Sequence, residues 1–400
     1  MAAGPVSGEM RRYRLSASRN GMPRSGIRAF MDLAWAAGDV IHLEVGEPNF
    51  PTPPHIVEAA DSAARRGETK YVPNQGTDRL CQAIADKVRA RNGWNVGKDQ
   101  VVVTAGGVQA LYLSLLAVLE PGDGVLVPDP GWPNFRMIIT VLNGVVQPYR
   151  VRGSEGYQPR VEDLDAAATP ATKAVILNSP SNPLGSVLSA DRIADILAWS
   201  RDRGLWVISD ECYDEIVFDG GFVSVGALGS SPNLISCYSF SKTYSMTGWR
   251  VGYAVAEDRD VRNHLAKLQE PLISCVNAPA QAAAAAALAG PQDVVAQMRE
   301  AYRARRDAAV RALRARGIDV HLPSGAFYLW ADLSPWDADD WGLATALLTK
   351  AGVAVAPGTA FGARGAGFVR ISLAAEMSAL LEGIARIANY LAETGLPAAR

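Results

Sequence analysis

The sequence of 400 residues is poor in the side chains that build metal centres and disulfide frameworks. It contains four cysteines and four histidines, which are widely separated and include no C-x-x-C pair. This dispersal argues against a zinc site and against a framework of disulfides. We therefore expect no bound metal and a reduced, cytoplasmic protein.

The sequence also lacks a strong net charge and a long apolar run. Lys and Arg number 39 and Asp and Glu 41, so the formal net charge is −2 and indicates no nucleic-acid or membrane surface. The densest apolar stretch, residues 111–119, is too short to cross a bilayer. Residues 1–12 are polar and have no apolar core of a signal peptide. We expect neither a nucleic acid nor a membrane as a partner.

The chain does carry enough apolar material for a sizeable core, with 48 % hydrophobic and 20 % charged residues. Short, nearly continuous apolar runs are typical of strands buried on both faces, and they lie at residues 101–104, 124–127, 174–177, 205–209 and 234–237. Helical patterns lie between several of them, at residues 108–119, 132–142 and 189–203. This alternation predicts an α/β fold with a mainly parallel central sheet flanked by helices.

The pattern changes after about residue 290. The later part predicts a long charged helix, two strands and a terminal helix, at residues 293–316, 327–332, 367–373 and 375–394. Residues 25–37 predict another amphipathic helix. The sequence thus predicts a large domain at 46–290 and a smaller α+β domain formed by both chain ends, 1–45 and 291–400.

Polar and glycine residues follow several predicted strands, at the edge where ligands bind in open α/β sheets. Each has an ordinary structural explanation when taken singly. Gly106 and Gly107 could form a phosphate cradle or a tight turn, and Asp210 could contact a ligand or cap a helix. Lys242 could be a nucleophile or an exposed loop lysine. Arg370, inside an apolar strand, needs an anion, which could be a ligand or an internal acidic partner.

In combination these features resemble the fold-type I pyridoxal-phosphate aminotransferases of class I/II, the aspartate aminotransferase-like group. The resemblance rests on the lysine motif SFSKTYSMTGWRVG at residues 239–252. The segments GEPNF at 46–50, NSPSNPLG at 178–185 and PSGAFY at 323–328 match the same family. The resemblance covers residues from about 23 to about 390.

The resemblance implies pyridoxal 5′-phosphate as the cofactor. Lys242 would form the Schiff base with its aldehyde and later move the proton at the substrate Cα. Asp210 would keep the pyridine nitrogen protonated, while Asn182 and Tyr213 would hydrogen-bond the phenolic oxygen. Trp132 would stack on the ring. The other cofactor contacts implied, mostly to the phosphate, are Gly106, Gly107, Val108, Ser239, Ser241 and Arg250.

For the substrate, the resemblance implies that Arg370 clamps the α-carboxylate, with Asn182 and the backbone of Gly46 beside it. Ile27, on the N-terminal helix, would add an apolar wall. Tyr71 resembles the family tyrosine that reaches the phosphate bound by the partner subunit. This implies a homodimer with shared active sites.

Val108 departs from the family pattern. In many relatives the residue after the two glycines carries a hydroxyl or an amine, and in some acidic-substrate enzymes it is a lysine that meets the distal carboxylate. The best-known aspartate enzymes use an arginine lent by the partner, and residues 272–278 contain none. The acidic side chain of a substrate such as aspartate would lose its hydration in the site without gaining a cation, unless Arg24, Arg28 or Arg136 moved to bind it. We expect alanine, larger aliphatic or aromatic amino acids to react faster than aspartate.

The activity implied is transfer of an α-amino group from an amino acid to a 2-oxo acid by a ping-pong mechanism. A β-eliminating lyase or a cyclising synthase would use the same core residues, so the sequence leaves that alternative open. A regulator with an aminotransferase-like domain would need a DNA-binding domain, and the roughly 20 residues before the matched region show no helix-turn-helix pattern. A dinucleotide-binding dehydrogenase is disfavoured because no G-x-G-x-x-G follows the five apolar runs.

Overall fold

The structure is a computed structural model that describes residues 22, 24–229 and 231–394. The polar start at residues 1–12 lies outside the described residues, as does about half of the N-terminal part of the predicted small domain, residues 1–21 and 23. The α-helices are α1 Gly26–Ala36, α2 Pro54–Arg65, α3 Asp78–Asn92, α4 Gly107–Val118, α5 Pro133–Val141, α6 Val161–Ala167, α7 Ala190–Asp202, α8 Phe240–Thr243, α9 Arg259–Ile273, α10 Ala278–Ala289, α11 Asp293–Arg314, α12 Asp340–Ala346 and α13 Met377–Glu393.

The strands are β1 Ile41–His42, β2 Val101–Thr104, β3 Gly124–Asp129, β4 Val145–Arg150, β5 Thr172–Asn178, β6 Trp206–Asp210, β7 Leu234–Ser239, β8 Gly252–Ala256, β9 Asp319–Val320, β10 Tyr328–Asp332, β11 Val353–Ala354, β12 Ala356–Pro357 and β13 Phe368–Ser372. One π-helical turn, Leu347–Ala351, continues α12. Short 3₁₀ turns lie at Lys98–Gln100, Gly153–Glu155, Val225–Leu228, Gly358–Phe361 and Ala363–Gly365.

Seven strands form the large sheet in the order β2-β8-β7-β6-β5-β3-β4. The five neighbouring strands β7, β6, β5, β3 and β4 pair in parallel. Strand β8 runs antiparallel to both of its neighbours, β7 and β2. Successive side chains of a strand point to opposite faces, so Val101 and Val103 join one core cluster while Val102 joins another. Helices therefore cover both faces of the sheet. The expected α/β fold with a mainly parallel sheet is confirmed.

A second sheet is built from the later part of the chain. Four antiparallel strands lie in the order β12-β13-β10-β9, and the short pair β1–β11 lies beside them. Phe30 and Ala34 on α1 are fully buried in the same core as Val369 and Ile371 on β13. Elements from both ends of the chain thus share one core. The boundaries at residues 46 and 290 remain a prediction, because strand pairing alone does not fix them.

Two strands of the large sheet were not anticipated by the pattern of continuous apolar runs. The edge strand β4 alternates between buried and exposed residues and includes Gln147 and Pro148. Its outer edge faces no further strand, so its exposed positions need no apolar side chain. The other, β8, is apolar and fully buried, but it follows the lysine motif directly and begins with Gly252. Strand ends elsewhere extend beyond the apolar runs because polar residues such as Asn178 and Asp210 still pair within the sheet.

Neither a membrane span nor a metal cluster occurs in the described part of the chain. No described helix is both long and apolar enough to cross a bilayer. No described group of three or more His, Cys, Asp or Glu side chains is arranged to hold a metal ion. The four cysteines are all free thiols.

Candidate active site

The polar ends of three neighbouring parallel strands meet at one edge of the large sheet. Asn178 ends β5, Asp210 ends β6 and Ser239 ends β7. The register pairs Asn178 with Asp210, and Asp210 with Cys237, so the three ends lie side by side. The loops that follow carry further polar side chains. This edge is where an open α/β sheet binds its ligands.

A pocket of about 260 Å³ opens at this edge and reaches the smaller sheet. The sequence-predicted residues that line it are Ile27, Gly46, Gly107, Val108, Trp132, Asn182, Asp210, Tyr213, Ser239, Ser241, Lys242, Arg250 and Arg370. Three lining residues were not predicted: Cys212, Thr247 and Tyr328. Thr247 and Tyr328 lie inside the quoted motifs at 239–252 and 323–328, and Cys212 lies between the predicted residues Asp210 and Tyr213, so proximity along the chain was the signal available for them.

One end of the pocket combines a helix N-terminus with the guanidinium of Arg250. Gly106 precedes α4 with φ 83°, and a Cβ at this position would overlap the Arg250 guanidinium. Arg250 is held in place by donating to the carbonyl of Thr247 at 2.8 Å and to that of Ala105 at 3.3 Å. The N-terminal N–H groups of α4 and a fixed guanidinium are thus brought together, which is a suitable environment for a phosphate.

The backbone at Gly106 and Gly107 packs closely against Cys212 and Gly252. A Cβ on Gly107 would lie 2.6 Å from the Cys212 sulfur, and one on Gly252 would lie 2.6 Å from the backbone of both Gly106 and Gly107. Only glycines permit this approach, so the loop between β2 and α4 sits directly on β8. A side chain at Gly106, Gly107 or Gly252 would therefore collide with neighbouring atoms.

Lys242 lies on α8 and faces the centre of the pocket. Its Nζ donates a hydrogen bond to the carbonyl of Gly46 at 2.6 Å. Burial lowers the pKa of Lys242 to about 8, because the charged amine loses its hydration in the pocket. The interpretation as an exposed loop lysine is therefore not supported. A lysine with a lowered pKa is a suitable nucleophile toward a carbonyl group.

Asp210 is a buried carboxylate that lacks a cation within ion-pair distance among the described residues. It is 3 % exposed and accepts a hydrogen bond from the backbone N–H of Cys212 at 3.2 Å. Burial raises the pKa of Asp210 to about 6, although its hydrogen bonds from Cys212 oppose the shift. A protonated heterocyclic nitrogen would supply the missing positive charge.

Arg370, on β13, brings the smaller sheet to the same pocket. Its guanidinium is 2 % exposed, donates to Oδ1 of Asn182 at 3.0 Å and also donates to the carbonyl of Glu44. It stacks 4.3 Å above the ring of Tyr328, whose hydroxyl meets that of Tyr213 at 2.8 Å. Its Nε has no hydrogen-bond partner. The internal acidic partner considered from the sequence is not paired with it, and a ligand carboxylate would use the free donor.

Two of the predicted residues do not line this pocket. Gly106 lies just outside and shapes it through its contact with Arg250. Tyr71 is 88 % exposed and borders a different cleft, together with Cys275 and Asn277. Tyr71 therefore does not serve the pocket of its own chain.

The comparisons with known proteins agree with this geometry. The model of the family "Aminotransferase class I and II" matches residues 38–387. The chain belongs to the class I and II aminotransferases. It is accordingly an enzyme, a pyridoxal 5′-phosphate-dependent aminotransferase, and the alternative of an eliminating lyase has no finding in its favour.

Relatives of this aminotransferase differ in the substrates their names give. A probable aspartate/prephenate aminotransferase of Aquifex aeolicus is 40 % identical, over 89 % of this chain and 92 % of that protein. Aspartate aminotransferase from Thermus thermophilus, solved with maleate, superimposes with a TM-score of 0.90 at 35 % identity, covering 94 % of this chain and 99 % of that one. An aromatic aminotransferase from Pyrococcus horikoshii superimposes with a TM-score of 0.86 at 33 % identity, covering 92 % and 99 %.

The residues of the pocket fit the cofactor. The glycine cradle beside Arg250 would hold the phosphate, and the unpaired carboxylate of Asp210 would meet the ring nitrogen. Lys242 lines the same pocket as Asp210 and Arg250. No described residue obstructs this assignment.

We predict that Gly252→Ala weakens cofactor binding at least about tenfold, a difference of about 1.4 kcal/mol. The added Cβ would meet backbone atoms of Gly106 and Gly107 at 2.6 Å, so the cradle itself must shift. The measurement is the dissociation constant of pyridoxal 5′-phosphate by absorbance titration. Gly221→Ala is the matched control, because a Cβ there meets nothing within 4 Å. An unchanged dissociation constant in a folded Gly252→Ala variant would contradict the role of the cradle.

Proposed function

We propose that this aminotransferase moves the amino group of a substrate with an apolar or aromatic side chain to a 2-oxo acid, in two half-reactions at the pocket described above. The observation that carries the proposal is that the Lys242 amine, with its lowered pKa, lines the same pocket as a buried carboxylate, Asp210, and a buried guanidinium, Arg370. Neither Asp210 nor Arg370 has an oppositely charged partner among the described residues. Together they match a cationic ring and an anionic substrate group.

When bound, pyridoxal 5′-phosphate supplies an aldehyde and an electron-accepting ring. Arg250 and the N–H groups after Gly106 would hold its phosphate, while Trp132 would cover one face of its ring. Asp210 would hold the proton on the ring nitrogen. Its low exposure protects that charge pair from competing water, which strengthens the electrostatic interaction.

Lys242 would act as the base and acid at the substrate Cα. Its hydrogen bond to the carbonyl of Gly46 orients Nζ, and its pKa of about 8 leaves part of the amine unprotonated near neutral pH. A group whose pKa lies near the working pH is well suited to both accept and return a proton. Tyr213 and Asn182 would donate hydrogen bonds to the phenolic oxygen of the ring.

Arg370 would bind the substrate α-carboxylate in a bidentate manner. Asn182 holds one guanidinium nitrogen and the carbonyl of Glu44 holds another, so the planar group has a fixed orientation. The backbone of Gly46 lies close by, since a Cβ there would lie 2.5 Å from the hydroxyl of Tyr328. Fixing the carboxylate in this way would fix the Cα proton relative to Lys242.

The preference for apolar substrates rests on the walls of the pocket. Among the described residues, its cations are those already assigned to the cofactor and to the α-carboxylate: Lys242, Arg250 and Arg370. Ile27, Val108 and Trp132 add apolar and aromatic surface. A second carboxylate would have to lose its water without meeting a further cation.

The three arginines that the sequence offered as substitutes make other contacts. Arg24 pairs with Asp32 at 2.6 Å, and Arg28 lies 5.6 Å above an exposed tryptophan ring of α1. Arg136 lies 3.7 Å from the carboxylate of Asp129. None of the three lines the pocket. This supports a substrate class that differs from the aspartate named for several relatives.

We further propose that the working unit is a homodimer in the cytoplasm. Tyr71 is largely exposed on its own chain, and an open cleft of about 710 Å³ lies beside Arg250 and Thr247 on the outside of the phosphate end. Tyr71 of the partner subunit would fit the role of a further phosphate contact. The four free thiols support a reducing compartment.

We predict that Lys242→Ala lowers turnover by at least about 10²- to 10⁴-fold, which is the usual contribution of a positioned proton-transfer group. Cofactor should still bind, because the phosphate cradle does not need the lysine. In the cofactor-free parent, reaction of the Lys242 amine with an acylating reagent should rise through about pH 8. Lys267→Ala, an exposed lysine on α9, is the matched control. Borohydride should reduce the cofactor onto Lys242, and an adduct on Lys267 would refute the assignment.

We predict that alanine, leucine and phenylalanine exceed aspartate in kcat/KM for the first half-reaction, and that Val108→Lys reverses part of this order. A lysine there would supply the missing cation, so aspartate should gain at least about tenfold, or about 1.4 kcal/mol. Single-turnover spectroscopy with each amino acid at one pH measures both effects. Val108→Leu is the control for added bulk without charge. A tenfold lead of aspartate in the parent would show that the apolar assignment is wrong.

We predict that mixing Lys242→Ala and Tyr71→Ala subunits restores activity, if each site uses Lys242 of one chain and Tyr71 of the other. Random exchange makes half of the dimers hybrid, and each hybrid has one intact site. Activity should then reach about a quarter of the parental value, by counting of sites in a two-fold dimer. Activity equal to the mean of the two separate variants would contradict a shared site.

A further inference from the structure

A second cavity, of about 460 Å³, lies apart from the active pocket and shares no lining residue with it. One wall is formed by Arg150 at the end of β4 and by the segment that follows, which includes Arg152 and Tyr157. The opposite wall comes from the smaller sheet and the turn before β13. Its volume is in the range of small-molecule sites. The amino-transfer reaction assigns it no role.

The walls of this cavity carry more positive charge than they neutralise. Arg152 is paired with Asp163, to which its Nη2 donates at 2.6 Å. Arg150 and Arg364 have no acidic side chain within ion-pair distance among the described residues, and no Asp or Glu lines the cavity. The carboxylate of Asp129 accepts a hydrogen bond from the backbone N–H of Arg364, but its ion-pair partner is the side chain of Arg136, at 3.7 Å. Asp129 also interacts electrostatically with Arg364, but neither Arg150 nor Arg364 makes an ion pair among the described residues, so both guanidinium groups remain available to a ligand.

Neutral donors without acceptors lie beside these cations. Ser154 and Tyr157 line the cavity, and neither hydroxyl makes a hydrogen bond within the described part of the chain. The Tyr157 ring is fixed by an edge-on contact with His321, with centroids 5.0 Å apart. Burial raises the pKa of Tyr157 to about 12, so its hydroxyl remains a donor at neutral pH. The free hydrogen-bonding groups of the cavity are thus mainly donors, which suits a ligand rich in acceptors.

The remaining wall is aromatic. Trp330 and Phe368 stack with centroids 5.4 Å apart and planes 9° apart, and both line the cavity. Trp330 is 2 % exposed, so its position is set by the core, while Phe368 keeps part of its surface open. A planar apolar group could be buried against this wall.

We propose that this cavity binds a phosphate monoester that carries a planar, apolar body. Arg150 and Arg364 would share the dianionic phosphate, because guanidinium groups bind phosphate oxygens in pairs of charge-assisted hydrogen bonds. Ser154 and Tyr157 would donate to the same group, and the body would contact Phe368. Two unpaired cations match a dianion better than they match a single carboxylate.

The cavity and the active pocket both lie between the large sheet and the smaller sheet, which the hydrogen bond from Arg370 to Asn182 joins at the active pocket. Binding itself does not depend on which substrate the enzyme uses.

The test is calorimetric titration of the cofactor-loaded enzyme with phenyl phosphate, so that the cofactor's own phosphate site is already filled. Inorganic phosphate and phenol are titrated separately, so that the affinity due to the phosphate group and the affinity due to the ring are each measured. The variants are Arg150→Gln with Arg364→Gln, and Tyr157→Phe. Arg201→Gln, an exposed and unpaired arginine on α7, is the matched control.

We expect saturable binding of phenyl phosphate, tighter than that of inorganic phosphate or phenol, and unaffected by Arg201→Gln. The double variant should bind at least about tenfold more weakly, or about 1.4 kcal/mol, and Tyr157→Phe should weaken binding by a smaller factor. Both arginines are exposed, so cofactor loading and melting temperature should stay at the parental values. No saturable binding at millimolar concentration, or equal binding by the double variant, would overturn the proposal. Equal affinity for inorganic and phenyl phosphate would overturn the aromatic subsite.

Discussion

The hydrogen bond between Arg370 and Asn182 joins the two sheets of this aminotransferase at the active pocket. Arg370 comes from the smaller sheet, whereas Asn182 comes from the loop after β5 in the large sheet. A buried guanidinium is costly unless its donors are used, so the position of Arg370 constrains how the sheets meet. The active pocket and the second cavity are both lined by residues of the two sheets, so both depend on that arrangement.

The pocket keeps three ionisable groups in costly environments. Asp210 and Lys242 both have pKa values shifted toward their neutral forms by burial, and burial also lowers the pKa of Arg370. None of these groups is neutralised by an ion pair within the described residues. The cofactor and substrate would supply the missing charges, so their binding free energy would offset an electrostatic cost of the folded protein. The same unpaired groups give the site its chemistry.

Substrate choice depends on a smaller set of side chains than the chemistry does. On the proposed assignment, the groups that would hold the cofactor and the α-carboxylate serve any amino acid. Discrimination between an acidic and an apolar substrate would then depend on the walls of the pocket, where Val108 and Ile27 provide no charge. Relatives with this fold carry names for aspartate, prephenate and aromatic substrates, so the fold alone does not set the substrate.

The sequence alone predicts the α/β class, five strands of the large sheet, several of the helices and most of the pocket, because these depend on local periodicity and on long motifs around Lys242. It did not predict the helices α2, α3 and α9. It could not determine β4, whose edge position permits an alternating pattern, or the partners of Arg370, which are distant along the chain. The shifted pKa values also required the tertiary structure, since burial and not residue type causes them. The cavity between Arg150 and Phe368 left no motif, because its walls come from separate segments that only the packing of the two sheets brings together.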